Sequence, residues 1–299
     1  MTTDTVVTAT DFSYRYGPDG DFAAVQNLDL AVSRGEVYAL LGTNGAGKTT
    51  TLEVIEGHRR PTSGAVSVLG GDPTDRRRIR PRVGIMLQES GFAGELTTIE
   101  SLRLAGKVSG RDDSAEELLA TVDLTGKSGT RVVQLSGGEK RRLDFAMAIW
   151  GAPELVFLDE PTTGLDPTAR ESLWQVVADL RDQGTTIILT THYLDEAQRY
   201  ADRIGLMHQG RLRREGTLAQ LVAAEPSHIS FVAPPGVELP LAVSGTEHGL
   251  VVVTTDELQR DLTALLAWAD RGNHRLDQLS ATSSSLDDLF RDLTTGAPS

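Results

Sequence analysis

Glu36-Val-Tyr-Ala-Leu-Leu-Gly-Thr-Asn-Gly-Ala-Gly-Lys-Thr-Thr50 runs from an apolar strand, Val37 to Leu41, through a glycine-rich turn into the start of a helix. Gly42, four intervening residues and then Gly47-Lys48-Thr49 have the spacing of a phosphate-binding loop. Glycines at such a turn let backbone N–H groups face inward around a polyphosphate, and the following helix adds its positive N-terminal end. Lys48 is placed to reach the outer phosphates, and Thr49 to offer its hydroxyl to Mg²⁺. The apolar run before the turn and the helix-like Thr50 to Ile55 after it separate this stretch from an ordinary glycine turn. Kinases, GTPases, motors and transport ATPases all use such a loop, so the remaining sequence has to choose among them.

The chain has 299 residues, 39% of them hydrophobic, enough for one large domain or a large domain with a small companion. It has no cysteine, which excludes disulfides and cysteine-ligated metals and suits the cytoplasm. The longest apolar runs fall far short of the roughly 18 residues that suggest a membrane span, and Met1-Thr-Thr-Asp-Thr5 has no basic start or apolar centre of a signal peptide. The chain is therefore expected to be soluble by itself, with any membrane role supplied by a partner. A formal charge of −13 argues against nucleic acid as a partner. Residues 225–299 hold 11 acidic and 4 basic residues, so −7 of that charge lies in the last quarter.

Upstream of the loop, Val6 to Tyr14 and Ala24 to Val32 read as strands joined by a turn at Pro18-Asp-Gly-Asp21. Tyr16 lies just before that turn, with Tyr14 on the same strand face; either ring could stack on a base or serve as an ordinary edge-strand aromatic. Downstream, Gly64 to Gly70 and Arg82 to Leu87 read as strands, the second ending at Gln88. The basic run Arg76, Arg77, Arg78, Arg80 and Arg82 between them reads as solvated surface or as a contact with a partner or acidic lipid.

From Glu89 to Trp150 the pattern turns helical, with capping boxes at Thr97-Thr-Ile-Glu100 and Ser114-Ala-Glu-Glu117. Leu135-Ser-Gly-Gly-Glu139 opens a helix from Lys140 to Ile149, with Leu143, Ala146, Met147 and Trp150 on one face. Ser136, Gly137 and Gly138 place free N–H groups and a hydroxyl at that helix's start, a second anion-binding arrangement or a simple cap. Pro153 to Leu158 is a buried-type strand ending in Asp159-Glu160. A carboxylate just past a strand end beside a phosphate loop suits Mg²⁺, and Glu160 is placed to orient and deprotonate an attacking water. Gly164-Leu-Asp-Pro167 breaks the chain before a helix from Thr168 to about Gln183. Thr185 to Thr190 is a core strand followed by His192, well placed for a γ-phosphate.

A hairpin at Arg203 to Glu215 turns at Gln209-Gly210, and a short helix at Thr217 to Ala223 follows. Pro226, Pro234, Pro235 and Pro240 mark a turn-rich stretch. Strands at Ile229 to Val232, Leu250 to Thr254 and Arg275 to Leu279, and helices at Asp256 to Ala269 and Leu286 to Leu293, complete the expectation.

Six motifs in this order over about residues 6–223 resemble an ABC-type ATPase. The resemblance makes Gly42, Thr43, Asn44, Gly45, Ala46, Gly47, Lys48, Thr49 and Thr50 the Walker A loop. It makes Gln88 the Q-loop glutamine, Leu135 to Glu139 the signature, Asp159 and Glu160 the Walker B carboxylate and general base, Asp166 the D-loop aspartate, His192 the switch histidine, and Tyr16 the base-stacking aromatic. Glu139 stands where the signature usually has Gln, and Thr43 where the loop often has Pro; neither removes a phosphate contact, but Glu139 bears on coupling at a dimer interface. Gly84 to Gly91, Thr190 to Ala197 and Ser284 to Thr294 are similar to the ATPases of ABC-2-type exporters, including the daunorubicin-resistance type.

The fold this implies is α/β: a P-loop NTPase, RecA-like core with an antiparallel β subdomain and a helical subdomain at about 89–150. Residues 1–225 form the ATPase domain, and 226–299 a small acidic C-terminal α+β domain. The function implied is hydrolysis of ATP, with Mg²⁺ held by Thr49, Gln88 and Asp159, to drive export of a drug, lipid or polysaccharide through a separately encoded ABC-2-type permease. The arrangement implied is a head-to-tail homodimer at the cytoplasmic face of the membrane, joined through Ser136, Gly138, Glu139 and Asp166. An importer ATPase is the first alternative, because the core motifs do not encode direction. A soluble ABC ATPase acting on ribosomes or DNA is the second, and a single Walker A loop, a single signature and the absence of cysteine speak against it.

Overall fold

The computed structural model describes residues 4–17, 20–88, 91, 93–223, 225–234, 236–283 and 285–295. Parts of four expectations lie outside them: Pro18 and Asp19 of the first turn, Glu89 and Ser90 after Gln88, Pro235, and Ser284. The chain divides into two units, residues 1–215 and 216–299.

In the first unit, β1 (Thr5–Tyr16), β2 (Phe22–Ser33) and β4 (Ser63–Val68) form an antiparallel sheet in the order β2-β1-β4. The larger sheet runs β5-β6-β7-β3-β8-β9, from β5 (Val83–Met86), β6 (Leu155–Asp159), β7 (Thr186–Thr191), β3 (Val37–Gly42), β8 (Arg203–His208) and β9 (Arg211–Gly216). Its first five strands pair in parallel. β3, β6 and β7 are buried at every position, which explains why they read as continuous apolar or β-branched runs rather than alternating ones. β9 returns through a two-residue turn in which Gln209 (φ 48°) and Gly210 (φ 76°) are both left-handed, the geometry of a tight hairpin.

The helix after the phosphate loop, α1 (Lys48–Ile55), buries Leu52, Val54 and Ile55 in a core shared with Phe12, Val25 and Leu28 of the small sheet and Tyr38, Phe157 and Ile188 of the large one. The short α2 (Arg76–Ile79) splits the basic run. Arg76, Arg77 and Arg78 are exposed, while Arg82 bonds Glu154 with two nitrogens at 2.5 and 2.9 Å.

The helical region contains α3 (Thr98–Ser109), α4 (Ala115–Thr121) and α5 (Gly137–Ile149). Thr97 and Glu100 form a complete capping box on α3. The box expected at Ser114 is incomplete: Ser114 caps Glu117 N–H, but its own N–H donates to Asp113 Oδ1 at 2.7 Å instead of reaching Glu117. α5 differs more. Arg141, Leu143, Asp144, Phe145, Ala146, Ala148 and Ile149 are all buried, so it is a core helix covered on most sides rather than one with a single apolar face. It lies so close to β5 that a Cβ on Gly84 would sit 1.8 Å from the Ala148 carbonyl oxygen, which only glycine avoids. α6 (Pro167–Asp182) and α7 (Leu194–Tyr200) complete this unit; α6 begins one residue earlier than expected because Asp166 caps it and Pro167 fits its first position.

The second unit opens with α8 (Leu218–Ala223), which the sequence assigned to the first domain. It belongs with the C-terminal residues because it packs on α10 (Leu286–Thr295). The antiparallel sheet β11-β12-β10-β13 is built from β11 (Gly245–Glu247), β12 (Leu250–Thr255), β10 (Ser227–Val232) and β13 (Asp277–Thr282). α9 (Leu258–Arg271) sets Leu265 into a small core with Ile229, Phe231 and Val253.

Candidate functional site

β6, β7 and β3 are adjacent parallel strands, in register at Asp159 with Thr190 and at Thr191 with Leu41. Their C-terminal ends therefore deliver Asp159-Glu160, His192 and the phosphate loop to one edge of the sheet, where open α/β folds bind ligands. Gly47 caps α1 with φ 104°, and a Cβ there would stand 2.5 Å from the Ala24 carbonyl oxygen, so both conformation and space demand glycine. Lys48 is buried and its Nζ donates to the carbonyls of Gly42 at 2.7 Å and Thr43 at 3.2 Å. The ammonium thus folds back over the loop. Burial lowers its pKa, opposed by the charges of Glu160 and Asp159.

Asp159 is 4% exposed. Burial raises its carboxyl above the ordinary value, the Thr190 hydroxyl opposes this by donating to Oδ1, Glu160 pushes it up again, and a hydrogen bond with Thr49 pulls it down. The same Thr190 hydroxyl accepts from the Glu160 N–H at 3.1 Å, and the Thr190 carbonyl accepts from it at 3.2 Å. Glu160 holds φ 48°, a left-handed backbone unusual outside glycine. Its Oε1 lies 3.3 Å from His192 Nδ1. Gln88, Thr49 and Asp159 line one cavity of about 470 Å³ with Glu53, Glu56 and His58. The hydroxyl, carboxylate and amide oxygens of Thr49, Asp159 and Gln88 are the hard donors that Mg²⁺ takes, so these residues fit that ion.

Tyr16 stands beside this loop. Its hydroxyl lies 3.2 Å from Thr50 Oγ1 and 3.3 Å from Glu53 Oε2 on α1, its ring packs edge-on to Tyr14 at 4.9 Å, and the Arg59 guanidinium lies over it at 5.0 Å. Tyr14 instead uses its hydroxyl on Arg59 at 3.2 Å. Ser136, Gly137 and Gly138 open α5, with Ser136 and Gly137 exposed. Ser136 and Glu139 form a complete capping box, which Gln would also satisfy, and Glu139 Oε1 meets Lys127 Nζ at 3.1 Å. Polar contacts of Ser136 and Glu139 thus run within this helix start and to Lys127, not to the phosphate loop. A Cβ on Gly138 would lie 3.6 Å from Leu165, so the signature borders the segment carrying Asp166.

Three buried polar residues at or beside the site escaped the sequence reading. Thr190 looks like strand packing, Glu56 like a helix end, and Arg141 like part of a solvated Lys140-Arg-Arg142 run. Glu56 is 4% exposed, pairs with His58 at 3.0 Å, and its carboxyl is raised by burial. Only a position-by-position mark of polar residues on apolar faces would have flagged Glu56 and Arg141.

A glycine loop at the end of a central parallel strand, with paired carboxylates at the end of the strand next but one, defines a P-loop nucleotide hydrolase. The family described as ABC transporter matches residues 25–163, and that described as the C-terminal domain of ABC transporter domain-containing protein-like matches 227–285. Similar relatives include the daunorubicin/doxorubicin resistance ATP-binding protein DrrA of Streptomyces peucetius, 37% identical over 91% of this chain and 88% of that protein. DrrA3 of Streptomyces coeruleorubidus, a daunorubicin resistance ATP-binding protein, is 42% identical over 74% of this chain and 71% of its own. The Nod factor export ATP-binding protein I of Burkholderia lata is 40% identical over 69% and 70%. Among solved structures, an ATP-binding subunit of an ABC transporter aligns with TM-score 0.67 at 32% identity over 73% of this chain and 92% of that one. A dimeric ATP-binding cassette bound to ADP and Pi aligns with TM-score 0.66 at 26% identity over 71% and 98%. The chain belongs to the ABC transporter family as an ATP-binding subunit. It is an ATPase, its relatives are named as ATP-binding proteins of drug resistance and of Nod factor export, and among the described residues no helix is long and apolar enough to cross a membrane.

Proposed function

We propose that this ATPase powers export through a separate ABC-2-type permease, from the cytoplasmic face of the membrane, as a head-to-tail homodimer. Relatives named for drug resistance and Nod factor export support the direction, and a dimeric cassette among the structural neighbours supports the assembly. The cargo proposed is a drug, lipid or polysaccharide. Gly42 to Thr50 cradle the phosphates of ATP, and Tyr16 stacks on the base. Ser136, Gly137 and Gly138 of the partner, with Glu139 and Asp166 at the dimer contact, close over the nucleotide from the other side. Thr49, Asp159 and Gln88 hold Mg²⁺, which supplies charge neutralisation on the phosphates when bound.

The observation that carries the mechanism is the left-handed backbone of Glu160, fixed at its N–H by Thr190, with its carboxylate 3.3 Å from His192. In this reading Glu160 serves as the general base while Asp159, buried, holds Mg²⁺, so the two adjacent acids take different tasks. Lys48 moves from the loop carbonyls to the outer phosphates, and His192 reports on the γ-phosphate. Beyond Gln88, an apolar groove of about 620 Å³ lined by Ile85, Leu96, Leu104, Val108 and Met147 is the docking surface proposed for the permease. Leu104 and Val108 are 48% and 80% exposed, and Gly91 and Ala93 of the groove follow closely after Leu87 and Gln88 of the nucleotide cavity. One short segment therefore touches both. Glu160→Gln should keep ATP affinity, lower kcat by about 10²- to 10⁴-fold, and accumulate an ATP-bound dimer. Near-normal turnover by this variant in a phosphate-release assay would refute the role.

A further inference from the structure

Arg141 lies on α5, two residues past the signature, and is 8% exposed. A guanidinium has five N–H donors in a planar fork, and here five main-chain carbonyls accept from it. Nε donates to Pro161 at 3.2 Å, one terminal nitrogen to Leu87 at 2.7 Å and Gln88 at 3.1 Å, and the other to Glu160 at 2.7 Å and to Asp159. Asp144, one turn along α5, lies 3.8 Å away and balances the charge. The acceptors belong to the ends of two strands, β5 and β6. All are backbone oxygens, so Arg141 takes up none of the side-chain oxygens of Gln88, Asp159 and Glu160.

We propose that Arg141 is a positioning residue for ATP hydrolysis: it locks the backbones of Gln88, Asp159 and Glu160 into one frame and fastens that frame to the helix that begins with Ser136. The inference rests on the roles proposed above for Glu160 and Gln88. It accounts for how Glu160 keeps its left-handed backbone, since such a conformation persists where the surroundings fix it on both sides. Thr190 holds the N–H of Glu160 and Arg141 holds its C=O. Lysine cannot replace this residue, because its three donors radiate from one atom and cannot span two strand ends. A tilt of α5 when its N-terminus meets a nucleotide would pull directly on Gln88 and Glu160, so signature engagement and the geometry of the base change together.

Arg141→Lys and Arg141→Ala in the full chain test this, with Glu160→Gln as a control. Nucleotide affinity and KM should stay within about threefold, because Lys48 and Tyr16 are untouched, while kcat falls about 100-fold, the scale expected for misplacement of about 1 Å. Low-millimolar guanidinium should restore turnover to Arg141→Ala and leave Arg141→Lys unchanged. Unaltered kcat in both variants overturns the proposal. So does unfolding of both, or a fall in kcat, affinity and melting temperature together without rescue, since each marks a purely structural role. If Glu160→Gln retains turnover, the underlying reading of Glu160 has failed; if it is inactive while Arg141→Lys is normal, the inference about Arg141 alone is wrong.

Discussion

Thr190 places a single hydroxyl between two carboxylic acids: its proton goes to Asp159 and its lone pair takes the Glu160 N–H. Thr190→Val keeps the shape and removes both bonds. The Glu160 N–H retains the Thr190 carbonyl at 3.2 Å, so the cost falls mainly on buried Asp159, about 1–3 kcal/mol for an unsatisfied group, or several degrees in melting temperature. The pH dependence follows in sign. Burial already raises the Asp159 carboxyl in the folded protein, and the Thr190 bond is what opposes this most. Between the unfolded and folded values the native state binds more protons than the unfolded one, so stability from this group is full below the unfolded value and is lost as pH rises through the folded one. Without Thr190 that window extends upward. Thr190→Val should therefore be less destabilising at pH 4 than at pH 7.5, and the acid limb of its kcat profile should move to higher pH. An acid limb that stays in place would show that Asp159 does not feel this hydroxyl. None of this was legible in the sequence, where a β-branched residue at the end of a core strand has packing as its sufficient explanation, whereas Lys48 and Asp159 were legible because motif spacing and strand ends define them.

At the scale of elements, the parallel strands were readable because burial on both faces writes itself as an unbroken apolar run, as in Leu155 to Leu158. α5 was misjudged for the complementary reason: Arg141 and Asp144 are polar and buried, so the sequence suggests a half-exposed helix where the structure has a covered one. Its start was legible, and it carries a testable consequence. The Ser136–Glu139 box holds Glu139 below its ordinary pKa, first through the Ser136 N–H and then through Lys127. Glu139 is thus ionised at the helix end that is proposed to face a partner's phosphates. Glu139→Gln keeps both bonds of the box and should change stability by less than about 0.5 kcal/mol, whereas Glu139→Ala should cost about 1 kcal/mol. Removing the negative charge also leaves the positive end of α5 uncompensated, worth about 0.3–1 kcal/mol toward an anion. Glu139→Gln should therefore tighten ATP-dependent dimerisation a few-fold, measured by sedimentation in the Glu160→Gln background. Weaker dimerisation would mean that Glu139 itself makes a favourable contact across the interface.

At the scale of the molecule, the sequence located a C-terminal domain from its charge and prolines but set the boundary at residue 225, ten residues beyond the division at 215/216. The C-terminal family match at 227–285 keeps to the later boundary, and the difference from the structural division has a physical origin. α8 begins with its own capping box, Thr217 N–H donating to Gln220 Oε1 at 2.9 Å and Gln220 N–H to Thr217 Oγ1 at 3.2 Å, so it reads as a self-contained helix closing the preceding hairpin. What decides its allegiance is Leu221, 4% exposed, and the packing of α8 on α10, where Leu286 and Leu289 are buried. That is a contact about 65 residues away in sequence, and no local pattern encodes it. Two truncations should therefore behave differently. Residues 1–216 keep β9 whole and every residue proposed for nucleotide contact, from Tyr16 to His192, and should bind ATP with the affinity of the full chain. Residues 1–225 retain α8 without α10 and expose Leu221, so this fragment should aggregate sooner on heating than the shorter one. If the C-terminal unit also contributes a surface to assembly, as we propose for a domain with its own core and a −7 charge, 1–216 should co-purify with the permease less well than the full chain. Unchanged co-purification with a lowered melting temperature would assign the unit to shielding the first. Lost ATP binding in a folded 1–216 fragment would show that part of the nucleotide site lies beyond Gly216.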